Sequence, residues 1–202
     1  MKILTVSDGV EPILYDRFDP ASFQGIELVL ACGDLPPEYL SFLVTRLNAP
    51  LYYVKGNHDI RLDGYHPEGC VDIDAKLVIH RGLRLVGFEG SQWYNGKPLQ
   101  YTEHQMRRKI WRLWSKIWRN RGVDIVITHA PPRHIHYAED LCHLGFECYR
   151  KFIARYGPQY FIHGHIHVNF TTPDQRITVV NQTKVVNSYG YFLFEIATKE
   201  AS

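Results

Sequence analysis

Residues 51 to 59 read LYYVKGNHD. An aromatic and β-branched run, suited to a buried strand, stops on Gly56 and then delivers a carboxamide, an imidazole and a carboxylate in succession. A strand that ends this way asks what those three groups face. The rest of the chain answers by repetition. ILTVS ends at Asp8, ELVLACG at Asp34, DIVIT at His129, and YFIHG at His165 and His167. Five apolar runs, far apart in sequence, all close on Asp, Asn or His, several with glycine alongside.

Around these runs, short apolar segments alternate with helical patterns. Strands are predicted at Lys2 to Ser7, Glu27 to Cys32, Leu51 to Lys55, Asp124 to Thr128 and Tyr160 to His163. Helices are predicted from Pro37 to Leu47, Thr102 to Asn120 and Phe146 to Tyr156. Pro37 suits a first helical turn, where its missing N–H has no partner to lose. Residues 75–89 read as a hairpin about Arg81-Gly82, and Arg176 to Ile196 as β-rich with turns near Asn181-Gln182 and Tyr189-Gly190. This is a mixed α/β chain with added antiparallel strands. No internal repeat or linker divides it, so residues 1–202 read as one domain.

Composition narrows the class. The 202 residues can bury a sizeable core, and 45% hydrophobic with 22% charged residues is ordinary for a globular protein. A net charge of +2 does not by itself point to nucleic acid or membrane. Cys32, Cys70, Cys142 and Cys148 show no CxxC spacing and read as reduced thiols of a cytoplasmic protein. No secretory signal is read at the N-terminus, and no apolar run reaches the roughly 18 residues of a membrane span.

In open α/β sheets, ligands bind beyond the carboxyl ends of the strands. Asp8, Asp34, Asn57, His129, His165 and His167 are therefore expected to converge. Carboxylate, carboxamide oxygen and imidazole without thiolate suit Mn, Fe or Zn. Packed together without a cation, the acids would be costly to bury. A single strand-terminal Asp is ordinarily a turn or cap residue, and GHxH alone could line a polar edge. The set of five is what argues for a site.

The order of these residues resembles the calcineurin-like metallophosphoesterases. That family carries D-x-H, G-D, G-N-H-D/E, a lone H and G-H-x-H. Here stand Asp8, Gly33-Asp34, Gly56-Asn57-His58-Asp59, His129 in THAPP and Gly164-His165-Ile166-His167. The resemblance implies a four-layer αββα sandwich of two mixed sheets flanked by helices, holding one or two divalent ions. It implies that Asp34 bridges them, that Asn57, His129 and His165 complete one site, and that Asp8 and His167 belong to the other. It further implies hydrolysis of a phosphate ester by a metal-bound hydroxide, with His58 near the leaving group.

One position departs from the pattern. Where the family has the histidine of D-x-H, this chain has Val10, which cannot bind metal. Water could complete that first site, Glu11 could substitute one residue out of phase, or the site could stay largely empty. A weakened, water-completed site is the expectation. Pro36-Pro37 replaces the acidic and arginine residues that the superfamily's protein phosphatases carry there, so a phosphodiester or small organophosphate is expected rather than a phosphoprotein.

His143, in a loop that often borders the family's pocket, and Arg61, just after GNHD, are candidates to meet substrate. His134 and His136 are expected at the surface. The acid-free stretch RRKIWRLWSKIWRNRG, Arg107 to Gly122, reads as an outer helix with Ile110, Trp114, Ile117 and Trp118 on an apolar face that Trp111 broadens, and a solvated basic side. Attraction to a polyanion is its alternative role, so nucleic acid is a possible but unfavoured partner. Two rival functions stand: a non-catalytic scaffold, favoured by Val10, and a nuclease, favoured by the basic helix alone.

Overall fold

The computed structural model describes residues 1–59 and 66–197. Its elements run β1 (Lys2–Ser7), β2 (Leu28–Ala31), α1 (Pro37–Leu47), β3 (Leu51–Tyr53), β4 (Cys70–Asp72), β5 (Leu77–His80), β6 (Leu83–Phe88), β7 (Ser91–Gln92), β8 (Gln100–Tyr101), α2 (Glu103–Arg119), β9 (Ile125–Thr128), α3 (Glu147–Tyr156), β10 (Tyr160–His163), β11 (Ile177–Val180), β12 (Thr183–Asn187) and β13 (Gly190–Glu195). One sheet has the order β13-β1-β2-β3-β4, the other β11-β12-β10-β9-β6-β5, and β7-β8 form a small ribbon.

Alternation along the strands sorts side chains into three cores. Ile3, Leu30, Ile125, Ile127, Tyr160 and Ile162 meet between the two large sheets. Leu4, Val6 and Val29 face the other way, onto Leu40 and Leu43 of α1. Val126 and Phe161 face Met106, Leu113 and Ile117 of α2 and Phe152 of α3. The result is the expected four-layer αββα sandwich.

Local signals set the boundaries. Pro37 opens α1, and Asn48 closes it with φ 48°. Arg81 and Gly82 both have positive φ, as a two-residue hairpin turn requires. Thr102 and Gln105 form a reciprocal capping box on α2. α3 lacks a capping side chain of its own; the Glu103 carboxylate accepts from the Glu147 and Cys148 amides at 3.1 and 2.8 Å instead.

The buried face of α2 matches the expected one at Ile117, with Ile110 partly buried against the same core, and differs from it at the tryptophans. Met106, Leu113 and Ile117 are buried, whereas Trp114 and Trp118 are exposed, as is Trp111. The three buried residues fall within about 40° of one another around the helix, and the tryptophans lie about 120° further round. Spacing alone could not choose between these two stripes. Packing on the sheet chose the narrower one.

Strand direction positions the site. β1, β2 and β3 are mutually parallel, and so are β6, β9, β10 and β12. Each sheet therefore gathers the carboxyl ends of its strands at one edge.

Candidate metal centre

At those strand ends the backbone turns sharply. Asp8, Asp34 and His165 adopt left-handed φ of 64°, 56° and 69°. Such strain in non-glycine residues is held only where the surroundings fix it. The Asp34 and Gly56 turns are laced together by Asp59, whose Oδ2 accepts from the Asp34 and Gly56 amides at 2.7 and 2.8 Å. Gly56 is glycine because a Cβ there would sit 2.1 Å from Asp34 Oδ1. At Gly164 a Cβ would meet Asp8 Oδ2 at 2.5 Å. Both glycines let strand ends from the two sheets close on one another.

Four side chains then share a point. His129 Nε2 lies 3.0 Å from Asn57 Oδ1, 3.0 Å from His165 Nδ1 and 3.3 Å from Asp34 Oδ2. The opposite ring nitrogens fix the tautomers. His129 Nδ1 is 2.8 Å from the Cys32 carbonyl, and His165 Nε2 is 2.9 Å from the Cys142 carbonyl. A carbonyl can only accept, so those nitrogens carry the hydrogens. Asn57 Nδ2 donates to the Tyr94 hydroxyl at 3.3 Å, which aims its carbonyl oxygen inward. Two imidazole lone pairs, an amide oxygen and a carboxylate oxygen thus converge, with no donor among the neutral forms.

Such a cluster needs a positive charge at its middle. In the metal-free protein a proton takes that place. Burial disfavours the His129 cation, but the Asp34 carboxylate beside it outweighs burial and raises it to about 10. Burial likewise pushes Asp34 up, yet His129 and the His58 amide hold it down at about 2. Burial, with the His129 cation 3.0 Å away, drives His165 down to about 3. A divalent ion fits the same place. Ligand bonds of about 2.0–2.2 Å space neighbouring donors about 3.0–3.5 Å apart, and the observed contacts fall in that range.

Asp8 and His167 form a second, looser group. Asp8 Oδ2 accepts from the His165 amide at 2.8 Å, while Oδ1 faces His167 Nε2 at 3.3 Å. The His167 side chain is 60% exposed and stacks on Tyr189. The hydrogen bond to Asp8 raises its pKa. Val10 is exposed, and the Glu11 carboxylate packs against Gly190.

The other candidates surround this core. The His58 amide donates to Asp34 Oδ1 at 2.8 Å, and the residue is exposed at the rim. His143 is held by Asp140 at 2.8 Å and leans on the His165 ring, 4.8 Å between centroids. Arg61 lies outside the described residues. His134 is exposed as expected, but His136 is half-buried rather than exposed. Its ring bridges His163 Nε2 at 2.9 Å and Thr178 Oγ1 at 2.8 Å, and burial lowers it to about 4. This chain of contacts fastens the loop after β9 onto the second sheet.

Sequence reasoning did not single out Tyr94, the Cys32 and Cys142 carbonyls or the Cys142 thiol, whose Sγ is 3.6 Å from His165 Nε2. Carbonyls carry no residue-type signal, and Tyr94 comes from a loop without a motif.

Comparison with known proteins bears on the fold and the family. No curated protein sequence matches the chain. Among solved structures, the protein TT1561 of Thermus thermophilus is similar at TM-score 0.64 and 17% identity, over 94% of this chain and 89% of that one. A dimetal phosphatase from Danio rerio is similar at TM-score 0.60 and 12% identity, over 95% and 91%. At those identities the likeness is one of fold. The family described as calcineurin-like phosphoesterase matches residues 9–169, and the chain belongs to that family of metal-dependent phosphoesterases.

Proposed function

We propose that this protein hydrolyses a phosphodiester or small organophosphate. Asp34, Asn57, His129 and His165 hold one divalent ion, Mn, Fe or Zn. Asp8 and His167, with Asp34 shared, hold a second more weakly. The observation that carries the reading is the convergence of four lone pairs on one point, with the tautomers of both imidazoles set by backbone carbonyls. A bound ion supplies Lewis acidity: it polarises a phosphoryl oxygen and makes water a nucleophile near neutral pH.

The protein's own groups divide the remaining work. Tyr94 orients the Asn57 amide. Asp59 holds the Asp34 and Gly56 turns in register. His58, exposed beside Asp34, is placed to give a proton to the leaving oxygen. His143, steadied by Asp140, borders the space above His165 and can meet a phosphoryl oxygen. Asp8 spends one oxygen on the His165 amide, and Val10 offers none, so water completes the looser site. Glu11 is engaged at Gly190 and is not assigned to it.

The test is hydrolysis of bis(p-nitrophenyl) phosphate by metal-stripped protein with and without Mn²⁺. Turnover should need the metal, and His58→Ala should lower kcat by about 10²–10⁴ with metal content unchanged. Protein that binds metal but turns over no phosphoester with Mn, Fe or Zn would instead be the scaffold that Val10 favours.

A further inference from the structure

α2 turns an unusual face outward. Trp111, Trp114 and Trp118 are 69%, 47% and 75% exposed. With Arg107 they stand at successive i, i+4, i+7 and i+11 positions, one stripe along the helix. An exposed tryptophan needs no explanation alone, but three in a row form a patch. Exposed Arg108, Arg112 and Arg119 border the stripe on one side. Across a shallow groove floored by Ile110 and Phe152, Lys151 and Arg155 of α3 border it on the other.

The charge on this face is unopposed. Residues 104–121 contain no Asp or Glu. Lys109 is the inward exception, paired with Asp74 and Glu89 at 2.9 and 3.0 Å. Among the described residues, no carboxylate pairs with Arg107, Arg108, Arg112, Lys116, Arg119, Lys151 or Arg155. The chain's modest net charge therefore hides a strongly basic, aromatic strip.

We propose that this strip docks the protein onto an anionic lipid bilayer, lying in the interface with the helix axis parallel to the surface. Indoles settle at the headgroup level of a membrane, and flanking arginines reach its phosphates. The layout supplies both: a row of exposed indoles along the outer face of the helix, with cations on each side. A second copy of this chain is a poor occupant, since it would bring like charges together with no acid between them.

The test uses the intact protein with vesicles of phosphatidylcholine, alone or with about one-third phosphatidylserine. Co-sedimentation and tryptophan emission are read together, because three of the four tryptophans lie on the strip. Binding with a blue shift is expected on the anionic vesicles only, weakening as salt is raised. Arg108→Gln and Arg112→Gln should each cut partitioning about fivefold. The double variant Trp111→Ala/Trp118→Ala, both far out in solvent, should cut it at least about tenfold without altering the melting temperature. Equal binding to neutral vesicles, absence of binding, tighter binding to single-stranded DNA than to vesicles, or a concentration-dependent dimer would each overturn the proposal.

Discussion

Gly56→Ala and Gly9→Ala make a matched pair within two motifs of the site. Neither glycine has a positive φ, so backbone conformation does not distinguish them. Space does. A Cβ on Gly9 meets nothing within 4 Å, whereas one on Gly56 falls 2.1 Å from Asp34 Oδ1 and 2.7 Å from His129 Cε1. Relieving the first contact requires Asp34 to retreat by about 1 Å, since packed atoms do not approach that closely. Its Oδ2, 3.3 Å from His129 Nε2, then leaves the convergent set. Losing an ionic ligand should weaken metal binding by at least about 100-fold, and overpacking should cost about 1–3 kcal/mol. Gly9→Ala should leave affinity unchanged and shift stability by well under 1 kcal/mol, in the stabilising direction. Competition with a chromophoric chelator reads the affinity, and urea unfolding of metal-stripped protein reads the stability. Wild-type metal affinity in Gly56→Ala would refute the claim that close approach of these strand ends builds the site.

Further outcomes follow from the same geometry. His129 has its folded pKa raised from 6.5 to about 10, so its contribution to stability is full below pH 6.5 and lost as pH rises through about 10. Metal-free protein should therefore lose on the order of 4 kcal/mol between pH 6.5 and 10, and Asp34→Asn should flatten that decline in urea midpoints. His165 and His136 are lowered to about 3 and 4, so acidification below 6.5 should destabilise as well, and the optimum should lie near neutrality. Tyr94→Phe frees the Asn57 amide and should weaken metal binding about 10-fold with little change in melting temperature; unchanged affinity would show that Asn57 is oriented by something else. Val10→His should raise occupancy of the looser site about 10–100-fold, read as metal per chain by elemental analysis; an unchanged ratio would mean that site already has a full ligand set.

The features legible along the chain are local in origin. Strand alternation, Pro37 at a helix start, Arg81-Gly82 at a hairpin and Thr102 before a long amphipathic run act within a few residues. Each predicted element accordingly recurs within a residue or two of its place. The motif order Asp8, Asp34, Asn57, His129, His165 and His167 was legible for the same reason: parallel strands carry their carboxyl ends to one edge whatever lies between.

Tertiary structure decided the rest, because the deciding contacts join residues far apart in the chain. The lone pairs of His129 and His165 point inward only because the carbonyls of Cys32 and Cys142 hold the opposite ring nitrogens. Tyr94 reaches Asn57 from a loop 37 residues on. His136 becomes a half-buried bridge because His163 and Thr178 lie on neighbouring parts of the second sheet. On α2, periodicity permitted either of two apolar stripes to pack, and the sheet took Met106, Leu113 and Ile117. The tryptophans were left facing outward by that choice, made through packing that no window of the sequence contains.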